Sequence, residues 1–200
     1  MSDTRSMPAV LPFSVDTWTT ETASKAQFLT HAHKDHTVGI SQNARHMYCT
    51  ATTLHLLRIK FPELAAAIDR GDVQVTVLRD PGDSAIGDTL HLWSAGACGG
   101  YPYSVTPLFL ANHCAGAVML LFESEVWGSI LHTGDCRVTS RQLPDLAAAL
   151  DELLGEGPHL GLLCLDVTAG GGQDGADTLV CGWAQGSCAV IMLTGALPQL

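Results

Sequence analysis

Three histidines and an aspartate lie within six residues, directly after the apolar pair Phe28–Leu29: His31, His33, Asp35 and His36. If the apolar pair belongs to a strand, the alternation of strand side chains places His31 and His33 on the same side. Asp35 and His36 can then face a neighbouring point after the chain turns. Imidazole nitrogens and carboxylate oxygens are ligands that zinc prefers. The spacing predicts a metal site, and the alternative is a solvated histidine-rich loop.

Four more residues of metal-ligand type follow apolar runs elsewhere in the chain: Asp16, His113, Asp135 and Asp166. In a layered α/β protein, the ends of strands converge on one edge of the sheet, where active sites usually lie. We therefore expect these residues to meet the histidine-rich motif at one edge. This shared placement indicates a site more strongly than any single motif does.

Apolar runs and their periodicity predict the elements that must position these residues. Strands are predicted at residues 10–15, 28–30, 47–49, 73–77, 90–93, 104–110, 117–122, 129–133, 160–165 and 189–193. Helices are predicted at residues 36–43, 50–60, 62–68 and 144–154. Thr50 is the expected N-cap of the second helix, and Gly71 and Gly155 are expected to stop the third and the fourth. The mixture of strands and helices indicates an α/β fold.

Composition and charge limit the class of protein. The 200 residues are 46% hydrophobic and 15% charged, which suits one globular domain with a substantial core. Twenty acidic against ten basic residues give a net charge of −10, which argues against binding nucleic acid over a broad basic face. A local phosphate site stays open, because bound divalent metals would reverse the local charge.

Cysteine usage and the N-terminus bear on the compartment. Seven cysteines without a C-x-x-C pair predict mostly buried, reduced thiols of an intracellular protein. The N-terminus has no apolar signal core, so secretion is not expected. No apolar run approaches the ~18 residues that cross a bilayer, so no membrane association is expected.

Five segments resemble one known family: SVDTW (14–18), LTHAHKDHTVG (29–39), ANHCAGAVM (111–119), ILHTGDCR (130–137) and LDVT (165–168). Together they are similar to the metallo-β-lactamase superfamily, and specifically to its DNA cross-link repair nucleases of the β-CASP group, the 5′ exonucleases of the Apollo and Artemis type. The histidine motif alone marks only the superfamily, whereas the Asn-His-Cys and Leu-His-Thr-Gly-Asp segments are specific to the nucleases. The resemblance covers roughly residues 10–168.

The resemblance implies a metal-binding role for each matching residue. The implied ligands are His31, His33 and His113 for a first metal, Asp35 and His36 for a second, and Asp135 as the bridge between the two. Asp35 and Asp135 are also the implied catalytic carboxylates. One or two zinc ions are the expected cofactor. Two metals about 4 Å apart can clamp a phosphodiester and supply an activated water at neutral pH.

Four residues beside these ligands have weaker implied roles. Asp16 would orient the metal-binding loop, and Asp166 would lie close to the metals, although strand-end aspartates are also common turn formers. Lys34 faces either a substrate phosphate or water. Arg137 makes either a phosphate contact or a surface ion pair.

The remaining histidines and the cysteines near the ligands have no implied chemistry. Histidines at five positions match no ligand of the family and are expected at the surface or as satisfied core residues: 46, 55, 91, 132 and 159. Cys114 and Cys136 are expected only to pack. Ala115 replaces the family's proline behind His113, and Cys136 replaces an aromatic residue, which predicts a less rigid turn and looser packing.

The likeness stops after Thr168. Residues 1–168 are expected to form the N-terminal part of a metallo-β-lactamase αββα sandwich, with the β-CASP insertion and the C-terminal completion missing. Residues 169–200 are expected to be a divergent glycine-rich linker and a short apolar tail. This predicts a truncated product with an incomplete second metal site and with apolar surface left exposed.

The resemblance implies 5′-to-3′ hydrolysis of DNA phosphodiesters in the repair of interstrand cross-links and double-strand breaks and in telomere end processing. The expected partner is DNA with a 5′ end, preferably 5′-phosphorylated, and the nucleus follows from the family alone. Two alternatives stay open. One is a small-molecule hydrolase of the same superfamily, and the other is a truncated, non-catalytic metal-binding or interaction protein.

Overall fold

A computed structural model describes residues 7–82, 84–94, 100–139 and 141–155, together with the backbone of three strands further along the chain. The described residues form an α/β fold with two main sheets, one parallel and one mixed, and a separate strand pair. Within this part of the chain, no helix combines the length and the apolar character that a membrane crossing requires.

The first sheet contains four parallel strands in chain order: β1 (Phe13–Val15), β2 (Ala26–Phe28), β3 (His46–Thr50) and β4 (Gln74–Leu78). Its helices are α1 (Ile40–Asn43), α2 (Ala51–Lys60) and α3 (Pro62–Arg70). Parallel neighbours need crossover connections, which α1 supplies between β2 and β3 and α2 and α3 supply between β3 and β4, whereas β1 and β2 are joined by a loop without a helix. All four strands therefore end at the same edge of the sheet.

The second sheet contains five strands: β5 (Leu90–Trp93), β6 (Pro102–Leu108), β7 (Met119–Ser124), β8 (Gly128–Asp135) and β9 (Leu160–Asp166). The first four pair antiparallel, whereas β9 runs parallel to β8 and is reached through helix α4 (Leu143–Leu154). Strand β8 carries the Leu-His-Thr-Gly-Asp segment and ends at Asp135. On the neighbouring strand β9, the residue that pairs with Asp135 is Asp166.

An aromatic core joins the two sheets. The ring of Phe13 on β1 stacks on Phe122 of β7 with 3.8 Å between centroids, and Phe28 of β2 meets Phe122 edge to face. A second apolar cluster packs helices α1–α3 behind the first sheet, and a third packs α4 behind the second. The core between the sheets therefore sets the separation between residues that the two sheets deliver to the site.

One predicted helix begins later than expected, and one strand of the tail was not predicted. The helix expected at residues 36–43 begins only at Ile40, because Gly39 has a left-handed backbone with φ of 85° and lies against the carbonyl oxygen of Trp18. The tail, for which one strand was predicted at 189–193, has two antiparallel strands, β10 (Thr178–Ala184) and β11 (Ser187–Leu193). Residues 167–177 and 194–200 of that tail lie outside the described residues.

Candidate metal centre

The loop after β2, the loop after β6 and the end of β8 bring their ligand-type side chains together. His113 Nε2 lies 3.0 Å from His33 Nδ1 and 3.2 Å from Asp135 Oδ2. His31 Nε2 lies 3.8 Å from the same oxygen of Asp135. Residues 80 or more positions apart in the sequence thus share one small volume, as their positions at strand ends predicted.

Asp135 faces a second group with its other oxygen. Its Oδ1 lies 3.2 Å from His36 Nε2, and Oδ2 of Asp35 lies 3.6 Å from the same nitrogen. Asp135 is buried, whereas the Asp35 side chain is 50% exposed. The carboxylate of Asp135 therefore lies between the imidazoles of His31 and His113 on one side and the imidazole of His36 on the other, a position that suits a bridging ligand.

Hydrogen bonds to the carboxylate of Asp16 hold the histidine-rich loop in place. Its Oδ1 accepts the backbone N–H of Thr30 at 2.8 Å, and its Oδ2 accepts the Thr30 hydroxyl at 2.6 Å. The same Oδ2 lies 2.8 Å from Nδ1 of His36. A carboxylate on Nδ1 holds the proton there, so the lone pair that can bind a metal is on Nε2.

Thr30 is a functional residue that the sequence analysis missed. Because its hydroxyl donates to Asp16, its oxygen is left to accept the Nδ1–H of His31, 3.0 Å away. The same residue therefore orients His31 and ties it to the carboxylate that orients His36. Gly134 packs against it so closely that an added Cβ would lie 2.8 Å from Thr30 Cβ. The only signal in the sequence is a hydroxyl residue next to the first histidine.

Two longer side chains donate hydrogen bonds to the backbone of the histidine-rich loop. Trp18 donates its indole N–H to the carbonyl oxygen of His36 at 2.8 Å. Lys60, the last residue of α2, donates to the carbonyl oxygen of Ala32 at 3.0 Å and approaches the Thr37 hydroxyl at 3.4 Å. These bonds satisfy loop carbonyls and hold the loop in one conformation.

The loop that carries His113 is anchored on both sides. Arg137 donates its backbone N–H to the carbonyl oxygen of Ala111 at 2.7 Å, which ties the loop to the end of β8. The hydroxyl of Thr50 donates to the carbonyl oxygen of Gly116 at 2.9 Å, which ties it to the start of α2. The loop therefore keeps its place relative to both sheets.

The electrostatics favour neutral imidazoles on one side of the site and a charged pair on the other. Burial and the charge of His36 lower the pKa of His31 to about 4, and burial also lowers the pKa of His113. Burial opposes protonation of His36, but the hydrogen bond and charge of Asp16 outweigh it and raise its pKa. Burial opposes the charge of Asp16, whose pKa is nevertheless lowered by the hydrogen bond from His36.

The residues present fit a bound metal. Nitrogen, sulfur and oxygen ligand atoms lie within 4.8 Å of one another in two groups: His31, His33, His113 and Cys114, and His31, His36 and Asp135. His31 Nε2 is buried and makes no hydrogen bond within the described part of the chain. A buried nitrogen without a partner is costly unless a ligand satisfies it.

No family model matches the chain. Individual proteins, however, are similar to the chain in sequence. The rat protein named 5′ exonuclease Apollo is 36% identical over 145 residues, which cover 70% of this chain and 23% of the relative. The chicken protein of the same name is 37% identical over 131 residues, which cover 63% of this chain and 23% of the relative. The mouse DNA cross-link repair 1A protein is 35% identical over 115 residues, which cover 56% of this chain and 9% of the relative.

The chain is a homologue of the DNA cross-link repair nucleases of the β-CASP group. The chain spans less than a quarter of the length of the Apollo proteins it matches.

The weaker predictions for this cross-link repair nuclease homologue have mixed outcomes. Lys34 and Arg137 are exposed. Burial lowers the pKa of His113, and the nearby charge of Arg137 adds a smaller effect in the same direction. Asp166 is the backbone partner of Asp135, and its side chain lies outside the described residues. Cys114, expected only to pack, has its sulfur among the ligand atoms of the first group.

The histidines without an implied role lie where they were expected, with one exception that the structure does not describe. His46, His55 and His91 are exposed. His132 is buried and accepts the backbone N–H of Gly134 at 3.1 Å, so it is a satisfied core residue. His159 lies outside the described residues.

Proposed function

We propose that this chain hydrolyses phosphodiester bonds of DNA with the help of bound zinc, one or two ions per chain, acting as a 5′-to-3′ exodeoxyribonuclease. The observation that carries the proposal is the position of Asp135 between the imidazoles of His31 and His113 on one side and His36 on the other. Homologous proteins named 5′ exonuclease Apollo support the reaction class.

The proposed fold is the metallo-β-lactamase αββα sandwich, with residues 1–168 as its N-terminal part. The aromatic core between the sheets and the helices packed behind each of them are consistent with that arrangement. Residues 169–200 would be a divergent glycine-rich linker followed by a short apolar tail.

The proposed ligands are His31, His33 and His113 for a first ion, Asp35 and His36 for a second, and Asp135 for both. When bound there, divalent ions would polarise a phosphoryl oxygen and lower the pKa of a water ligand. The chain's own contribution is orientation. Asp16 and Thr30 keep the Nδ1 protons of the two buried histidines in place, so that both Nε2 atoms point into the site.

The proposed substrate is DNA with a 5′ end, with a 5′-phosphate preferred. A chain of net charge −10 attracts DNA only where positive charge is concentrated locally. Bound metals would supply that charge at the site, and the exposed side chains of Lys34 and Arg137 would add to it at the rim. We also propose a role in cross-link repair and a nuclear location, because the homologous proteins are named for DNA repair.

The test is digestion of 5′-phosphorylated single-stranded DNA by the zinc-loaded chain and by an Asp35→Asn variant. We expect the variant to lose at least about 100-fold in rate, the usual cost of removing one group that stabilises developing charge. Asp69→Asn is the matched control, because Asp69 is exposed and pairs with Arg58 on the surface. Equal rates for Asp35→Asn and the wild type would refute the proposal.

Two further measurements separate the alternatives. Close to two zinc ions per chain, measured after equilibration with excess zinc, would support both proposed sites. One ion or none, together with no cleavage of DNA, would favour a non-catalytic metal-binding or interaction protein. Turnover of a thioester or a lactam without turnover of DNA would favour a small-molecule hydrolase.

A further inference from the structure

Cys114 lies directly after His113, and its sulfur is within 4.8 Å of ring nitrogens of His31, His33 and His113. The other cysteines whose side chains the structure describes do not have this environment. Cys49 is buried in the core behind the first sheet, and Cys136 belongs to neither group of ligand atoms. The position of Cys114 therefore distinguishes it from an ordinary packed thiol.

One observation points to a ligand at this position: His31 Nε2 is fully buried and finds no hydrogen-bond partner among the described residues. The turn behind the cysteine is held by hydrogen bonds. Ala117 donates its backbone N–H to the carbonyl oxygen of Cys114 at 3.0 Å, and the hydroxyls of Thr50 and Thr53 donate to the carbonyl oxygen of Gly116. The sulfur thus stays near the imidazoles because of the loop's own bonds.

The donor set has a specific chemical meaning. Three imidazoles and the Asp135 carboxylate give the first zinc four protein ligands, and zinc at a catalytic site can expand to five ligands. A thiolate at the fifth position would compete there with water or a substrate. Cys114 also borders an open groove of about 380 Å³ between the metal-binding loop and α2, so its sulfur can be reached from solvent.

We propose that Cys114 is an additional, displaceable ligand of the metal held by His31, His33, His113 and the bridging Asp135. The inference rests on the metal centre of the proposed function and deepens it. When the metal binds, the thiol gives its proton to solvent and a sulfur–metal bond forms. When another donor takes that position, the sulfur–metal bond breaks and the sulfur takes up a proton again. The thiolate closes the site while it is idle.

The experiment is titration of the metal-free chain with cobalt(II), which replaces zinc and reports its ligands by absorption. Cobalt in the wild type should show a near-ultraviolet thiolate-to-metal charge-transfer band beside its weaker visible bands. Cys114→Ser should lose that band and keep the visible bands. Cys136→Ser is the matched control and should keep both. Circular dichroism checks that each variant is folded.

Competition with a chromophoric chelator gives the second readout. Loss of one protein ligand should weaken zinc binding by about tenfold or more in Cys114→Ser and leave Cys136→Ser unchanged. Inorganic phosphate at millimolar concentration should reduce the charge-transfer band of the wild type, because it competes for the same position.

The outcomes separate this inference from the proposed function. Cobalt bound to the wild type without a thiolate band would overturn the inference and leave the histidine and aspartate centre standing. A thiolate band that disappears in Cys136→Ser but persists in Cys114→Ser would also overturn it. A wild-type chain that binds no cobalt would overturn both.

Discussion

Replacing Asp16 by asparagine tests whether this buried carboxylate determines which nitrogen of His36 faces the metals. Asparagine matches aspartate in shape and tolerates the left-handed backbone at this position, where φ is 49°. Its carbonyl oxygen can still accept the backbone N–H of Thr30. Its amide group, however, would donate where Oδ2 now accepts, so His36 would have to move its proton to Nε2.

The size of the effect follows from the bonds that Asp16 makes. Asparagine loses the hydrogen bonds from the Thr30 hydroxyl and from His36 Nδ1, each with a charged acceptor. At about 1.5 kcal/mol each, the free energy of unfolding should fall by about 3 kcal/mol. The proton moved to Nε2 blocks a ligand atom, so zinc binding should weaken about 10- to 100-fold.

The pKa shifts of Asp16 and His36 determine how the destabilisation by Asp16→Asn should change with pH. The pKa of Asp16 in the folded state is lowered from 3.8. Its contribution to the free energy of unfolding is therefore present above pH 3.8 and is lost as the pH falls through the folded-state pKa. The pKa of His36 in the folded state is raised from 6.5. Its contribution to the free energy of unfolding is therefore present below pH 6.5 and is lost as the pH rises through the folded-state pKa. In the zinc-free chain, Asp16→Asn should therefore destabilise most between about pH 4 and 6.5 and less at pH 8.5.

The assay is urea unfolding of the zinc-free wild type and variant at pH 5.5 and 8.5, followed by zinc competition at neutral pH. Asp69→Asn is the control, because Asp69 is 62% exposed and its pair with Arg58 should contribute at most about 1 kcal/mol. The reasoning would be refuted if Asp16→Asn unfolded like the wild type at both pH values and bound zinc with the same affinity.

Three further predictions follow from the supports of the site. Lys60→Met removes a hydrogen bond to the metal-binding loop that is worth about 1 kcal/mol, and it should speed zinc release to a chelator about fivefold. Lys25→Met is the control: Lys25 bonds to the carbonyl oxygen of Ala9, outside that loop, so its replacement should not change the rate. Gly134→Ala should cost about 3 kcal/mol in urea unfolding because of its positive φ and its contact with Thr30; Gly128→Ala, with positive φ but open space, should cost about 1 kcal/mol. Free zinc at about 1,000 times its dissociation constant should raise the free energy of unfolding by about 4 kcal/mol, and excess chelator should abolish the increase.

Local features of the fold were predictable from the sequence because they depend on neighbouring residues. The side chain of Thr50 caps α2, as its position before the helix predicted. Gly71 ends α3 with a left-handed backbone, and Gly155 follows the last turn of α4. Proline or a capping hydroxyl at one end of a helix and glycine at the other are local signals, and no distant contact is needed to interpret them.

The supports of the site were harder to predict because their partners are distant in the sequence. Thr30 bonds to Asp16, which is 14 positions away, and Lys60 reaches Ala32 across 28 positions. Neither the type nor the spacing of Lys60 marks it as a support of the site, and the only signal at Thr30 is a hydroxyl residue next to the first histidine. Cys114 was predicted only to pack, since a cysteine beside a histidine is common and only the folded loop brings its sulfur to the imidazoles.

The separation of the two sheets ultimately controls the metal centre, because neither sheet carries a complete set of ligands. The histidine-rich loop leaves the first sheet, whereas His113 and Asp135 belong to the second. The connections between the sheets include the stacking of Phe13 on Phe122 and the backbone N–H of Val118, which donates to the carbonyl oxygen of Thr30 at 3.1 Å. Close-packed interiors do not absorb changes in volume without shifting neighbours. The chemistry at the edge of the sheets therefore depends on the aromatic core between them.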